Sequence, residues 1–209
     1  MTVIHQLSSS LGQKGNDANI ALANEIAKTE NGNAIKELVE NLKNEDKKIQ
    51  ADCLKTLYET AYIKPHLIAN YYPEFLRLLS NKNNRLVWGG MIALMTITDL
   101  KSKELFASID LISNTVNKGS TITIDSGVEI YAKLNKHKEY QGKVENLLID
   151  QLWICPIKQL PKYMEKSLIS ITEWNKEIYI KIINERKPEC EKESQLKRLD
   201  NVLKQINKI

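Results

Sequence analysis

What most constrains this chain is that it resembles itself. The segment Asn44–Leu57, NEDKKIQADCLKTL, returns about 37 residues later as Asn81–Leu94, NKNNRLVWGGMIAL. Each copy opens on a polar turn rich in Asn or Asp, passes a basic residue and runs into a helix. Leu54 and Leu57 of the first copy correspond to Met91 and Leu94 of the second. Ahead of each copy lies another apolar stripe: Ile35, Leu38, Val39 and Leu42 before the first, and Phe75, Leu76 and Leu79 before the second. Spacings of three and four residues place each set on one face of a helix. A helix pair of this size cannot bury its stripe alone, so its neighbours in the repeat must cover it.

The unit recurs with drift. Leu105, Phe106, Ile109 and Ile112 read as a front helix, followed after a turn at Lys118-Gly119-Ser120 by Val128, Tyr131 and Leu134. Val144, Leu147, Leu148 and Leu152 precede a turn at Cys155-Pro156 and a helix with Tyr163, Met164, Leu168 and Ile171. Ile178, Ile182 and Ile183 precede the final stripe, Leu196, Leu199, Val202, Leu203 and Ile206. Residues 1–31 hold a shortened pair, with Ile4, Leu7 and Leu11 and then Ile20, Ala23, Ile26 and Ala27. The approximate repeats are 1–31, 32–64, 65–100, 101–136, 137–172 and 173–209. Pro65, Pro73, Pro161 and Pro188 fall where helices would begin, the position Pro tolerates best, and Asn16-Asp17, Asn33 and Asn84 suit N-caps.

Composition agrees with helices. Only 8 Gly and 5 Pro occur in 209 residues, too few for the many turns of a β-sandwich or barrel. A hydrophobic share of 42% supplies a core and excludes disorder. No apolar run reaches the length of a membrane span, and Met1–Leu11 lacks the layout of a signal peptide. Cys53, Cys155 and Cys190 are too scattered for a disulfide framework, so a reducing cytoplasm is expected. The net charge of +4 is carried mostly by lysine and lacks the dense basic stripe of a dedicated nucleic-acid binder.

The helix-turn-helix period and the Asn81–Leu94 segment resemble HEAT/armadillo-like repeat proteins, with the turn, the basic Arg85 and the pair Ala93-Leu94 following the second-helix pattern. The resemblance spans nearly the whole chain and weakens at Thr121–Leu134 and Pro156–Leu160. It implies an all-α fold, a right-handed α-α superhelix or solenoid of about six helix pairs in a single domain. It also implies a binding scaffold rather than an enzyme, in which second helices line a concave face and Arg85 bridges to an acidic group of the adjacent turn.

One segment departs from the others. The outward positions Gln50, Asp52, Lys55 and Glu59 become Val87, Gly89, Ile92 and Thr96 in the next repeat. Two explanations compete. These residues either floor an open groove in which Gly89-Gly90 admits a partner backbone, or they belong to a helix buried all round. An open groove predicts that Gly89→Arg stays folded and loses its partner. The candidate binding patch is Arg85, Trp88, Gly89, Ile92 and Thr96, extended by Glu129 and Lys133. Tyr58, Tyr62, Tyr71 and Tyr72 form an aromatic cluster that reads mainly as a helix seam. The lysines at 133, 136, 138 and 143 with His137, joined by Lys158, Lys162 and Lys166, read as a solvated face.

No nucleophile motif, phosphate loop or C-x-x-C occurs, and His5, His66 and His137 lack metal-ligand spacing. No catalytic residue, cofactor or metal is therefore expected. The leading expectation is a monomeric, non-catalytic module that binds a protein or peptide away from membranes. The alternative is a nucleic-acid-binding or DNA-repair protein like the DNA glycosylases with HEAT-like folds. In that reading Trp88, Trp153 and Trp174 serve with Asp125 or Asp150.

Overall fold

The fold was obtained as a computed structural model that describes residues 2–209. Among the described residues the ordered elements are helices, without any strand, as the repeat predicts. The chain divides into two compact units, Met1–Ser126 and Gly127–Ile209.

In the first unit the α-helices are α1 (Asp17–Thr29), α2 (Gly32–Glu40), α3 (Lys47–Ile63), α4 (His66–Ala69), α5 (Tyr72–Leu78), α6 (Asn84–Ile97), α7 (Ser102–Ala107) and α8 (Ile109–Lys118). Helix α9 (Thr121–Leu134) holds the boundary between the units. The second unit continues with α10 (Lys138–Ile154), α11 (Leu160–Ser167), α12 (Lys176–Arg186) and α13 (Glu193–Ile206).

The stripes read from the sequence are the core. Ile35, Leu38, Leu54, Leu57, Phe75, Met91 and Leu94 are buried together in the first unit. Helix α3 packs on α1, α2 and α6, and α6 packs on α3 and α5. In the second unit Leu148, Leu152, Tyr163, Met164, Ile182, Ile183, Leu199, Val202 and Ile206 are buried, with α13 on α11 and α12, and α10 on α11.

Local chemistry sets the helix ends, with some corrections to the sequence reading. Pro73 and Pro161 occupy first-turn positions of α5 and α11, and Pro65 precedes α4. Asn16 precedes α1 but makes no side-chain cap. The caps fall earlier than predicted at the other two sites. Asn31 rather than Asn33 caps α2, its Oδ1 accepting from Ala34 N–H at 3.0 Å. Asn83 rather than Asn84 caps α6, accepting from Arg85 N–H at 3.0 Å. Asn residues close together make the cap ambiguous by periodicity, and the one whose backbone is non-helical, Asn31 or Asn83, takes the role.

Three further differences concern the repeats. The front helix expected over 105–112 breaks at Ser108 into α7 and α8, and a short α4 likewise precedes α5. The middle repeats therefore carry a third, short helix, a variation known in this class of repeat. The first pair is weaker than expected: Leu7 is buried, but Leu11 and Ile20 are exposed and only a single turn of 3-10 helix forms at Ile4–Gln6. Finally, Gln50 and Asp52 do not face outward. The Gln50 amide donates to Leu42 O at 2.6 Å, and Asp52 accepts from Ser9 N–H at 2.8 Å, which covers both.

Candidate functional site

Neighbouring helices α3 and α6 present a matched pair of rows. Asp52, Lys55, Glu59 and Tyr62 recur every three or four residues along one face of α3, and Arg85, Trp88, Ile92 and Thr96 do so along α6. The rows differ in accessibility. Tyr62 and Arg85 are exposed, Lys55, Glu59, Trp88 and Thr96 are half-buried, and Asp52, Gly89 and Ile92 are buried.

The glycine pair works as a packing device. A Cβ built on Gly89 would lie 2.5 Å from Leu54 Cδ2, and one on Gly90 would lie 3.1 Å from both Leu78 Cβ and Phe75 O. Gly89 thus seats α6 against α3, and Gly90 seats it against α5. This contact speaks against the open-groove explanation, in which Gly89 admits a partner backbone and Gly89→Arg stays folded. The side chain would enter the space Leu54 fills. Of the two explanations weighed from the sequence, helix burial accounts for the glycines.

The accessible part of the face is aromatic and charged, with Tyr62 exposed and Trp88 half-buried, both in ring contact with a buried Tyr58. The Tyr58 ring stands edge-on to Tyr62 with centroids 6.3 Å apart, and lies 6.4 Å from Trp88. Lys55 Nζ sits 4.9 Å from the Tyr58 ring centroid and 2.5 Å from Glu59 Oε1. Burial pushes the Tyr58 hydroxyl pKa up, against the opposing pull of Lys55 and, more weakly, of Arg85. Tyr71 and Tyr72 lie instead at the start of α5, where Lys101 Nζ approaches the Tyr72 ring at 5.7 Å. Only two of the four tyrosines noted from the sequence therefore join this trio.

Arg85 does not make the expected bridge to an acidic group. It lines a cleft of about 480 Å³ together with the N-terminal turn, Lys48 and Asp52. The sequence reading missed the partners of Arg85 in that cleft, Ser8, Ser9 and Lys14. The pair Gly12 and Gly15, both at positive φ, was the available signal for a tightly curled turn there.

Glu129 and Lys133 lie in the second unit and are engaged with each other. Lys133 Nζ is 3.2 Å from Glu129 Oε1, and Lys166 Nζ is 2.7 Å from Oε2. Burial would raise the Glu129 pKa, but hydrogen bonding and charge from Lys166, helped by Lys133, hold it below the usual carboxylate range. Of the residues weighed for DNA repair, Trp88 lies on α6 and Asp125 on α9, Asp150 and Trp153 lie on α10, and Trp174 is almost fully exposed before α12. Among the described residues no group of His, Cys, Asp and Glu is arranged to hold a metal ion. No helix among them is long and apolar enough to cross a membrane.

These features define an all-α protein built from stacked helical repeats, and solved structures agree. A designed armadillo repeat protein in complex with the peptide (KR)4 superposes with a TM-score of 0.67, covering 98% of each chain at 15% identity. A computationally designed armadillo repeat protein for modular peptide recognition gives 0.67 over 97% of this chain and 98% of that one, also at 15% identity. An engineered protein gives 0.64 over 100% and 98%, again at 15%. No family model matches the sequence, and no curated protein does. The fold is thus an armadillo-like helical repeat.

Proposed function

We propose that this is a non-catalytic, peptide-binding repeat protein, acting as a monomer, whose α3–α6 face receives an extended segment of a partner. The observation that carries the reading is the Tyr62–Tyr58–Trp88 trio, bordered by Lys55, Glu59 and Arg85 on adjacent helices. Such a surface offers rigid apolar area beside charged groups that fix register, the combination that dominates recognition energy at interfaces. The solved neighbours with this fold include proteins designed to bind peptides. Three free thiols suit a reducing cytoplasm.

Selection from a displayed library of random octapeptides tests the proposal. Wild-type protein is expected to enrich a family of sequences with an aromatic or aliphatic anchor. The double variant Tyr62→Ala/Trp88→Ala should keep its helicity and enrich none. Equal enrichment by both proteins would remove the assigned face, and duplex DNA bound more tightly than any peptide would favour the nucleic-acid reading.

A further inference from the structure

The cleft beside Arg85 has the chemistry of an anion site. Its walls come from three places in the first unit: the turn over residues 8–16, the first turns of α3 with Lys48 and Asp52, and the start of α6 with Arg85. The turn is fastened on both sides. Ser8 N–H donates to Asn19 Oδ1 at 2.9 Å, and Ser9 N–H donates to Asp52 Oδ2 at 2.8 Å. The two hydroxyls are left over. Ser8 is 2% exposed, and both Ser8 Oγ and Ser9 Oγ are buried with no hydrogen-bond partner.

Buried hydroxyls in native proteins are nearly always satisfied, so two adjacent orphans lining one cleft point to a missing partner. Around them stand Lys14, Lys48 and Arg85, none of which forms an ion pair among the described residues, and the lining adds the carboxylate of Asp52. The cleft lining therefore holds an excess of two positive charges, with the two unsatisfied serine hydroxyls buried in its wall. Groups of this kind serve an oxygen-rich anion, with Arg85 able to grip two of its oxygens at once. The Asp52 oxygen already bound by Ser9 N–H positions the turn, and its charge reduces the positive excess of the lining without cancelling it.

We infer that this cleft is an oxyanion site that takes the acidic side chain of the bound peptide, a carboxylate or a phosphate monoester. The inference rests on the peptide-binding proposal and deepens it. Arg85 lies one helical turn from Trp88, so the cleft occupies one end of the aromatic face. A ligand would then place its anionic residue at Arg85 and its apolar anchor at Trp88 and Tyr62. Its charge would be opposite to that of the basic peptide bound by one of the designed neighbours.

The experiment is calorimetric titration at moderate salt with four probes: (Glu)8, the same peptide bearing one phosphoserine, inorganic phosphate and (KR)4. Arg85→Met and Ser8→Ala/Ser9→Ala proteins are run alongside, with thermal melts establishing that they fold. Wild-type protein is expected to bind at least one acidic probe and to ignore (KR)4. Affinity should fall about tenfold or more in each variant, and preference between the two peptides tells carboxylate from phosphate. Saturable phosphate binding that Arg85→Met abolishes, with no peptide bound, would keep the anion site and overturn its assignment to the acidic side chain of a peptide. Absence of binding by every acidic probe, or binding that both variants retain, would overturn the site. The peptide reading would then stand or fall on Tyr62→Ala/Trp88→Ala alone.

Discussion

Gly89 shows how one residue can be conspicuous in a sequence for a reason the sequence does not disclose. Two glycines inside a helix forfeit about 1 kcal/mol each in propensity, which marks them as necessary but not for what. Only the approach of Leu54 to 2.5 Å from an added Cβ identifies the purpose as helix contact. Gly89→Ala is therefore expected to lower stability by about 1 kcal/mol, because overpacking a core costs roughly 1–3 kcal/mol and outweighs the gain in propensity. In a Leu54→Ala background the same change should become stabilising, since the obstructing side chain is gone. Urea denaturation of the four proteins measures the coupling. Stabilisation by Gly89→Ala alone would contradict the packing assignment. The cleft hydroxyls were less legible still. Ser8 and Ser9 sit in a polar turn, and nothing in a linear reading separates a buried serine from a solvated one. Asp52 was placed on an outward row because periodicity cannot register that residues 43 positions away fold back over it.

At the level of elements the sequence was far more informative. Apolar spacing located the principal helices because each stripe had to be buried, and the positions of Leu38, Leu57, Phe75, Leu94, Tyr131 and Ile182 in the core follow from that alone. The break at Ser108 was hidden because Leu105, Ile109 and Ile112 stay in phase across it, all of them buried. Charge placement between elements escaped as well. The lysines at 133 and 166 read as a solvated basic face, whereas both turn to Glu129, Lys133 from within α9 and Lys166 tying α9 to α11. Because the folded state depresses the Glu129 pKa, this tie contributes stability above the unfolded carboxylate pKa near roughly 4.3 and loses it as pH falls through the folded value. Lys166→Met is accordingly expected to cost about 1 kcal/mol at pH 7. The difference from wild type should shrink steadily from about pH 5 downward. A difference independent of pH between 7 and 3 would show that Lys166 acts through its aliphatic stem instead.

Across the whole molecule, helical-repeat folds ask little of sequence beyond a repeated pattern, which is how neighbours only 15% identical cover 97% or more of this chain. The same economy exposes a vulnerability, because each helix layer depends on the next for cover. Helix α13 illustrates it. Leu199, Val202 and Ile206 are fully buried against α11 and α12, while Glu193, Lys197 and Lys204 face solvent. Two ion pairs accompany the packing, with Arg198 donating to both oxygens of Glu165 at 2.7 and 2.6 Å, and Lys187 to Asp200 at 2.5 Å. Exposed pairs of this kind contribute about 1 kcal/mol or less, whereas burying each aliphatic side chain contributes about 1.5–3 kcal/mol. The apolar face must therefore dominate. Ending the chain after Arg186 should expose that face, giving soluble aggregates in light scattering and strong binding of a hydrophobic dye. Arg198→Ala in the full chain should leave a monodisperse protein whose melting temperature changes by no more than a few degrees. A truncated chain that remained monodisperse, helical and blind to the dye would mean that α11 and α12 hold their packing without α13.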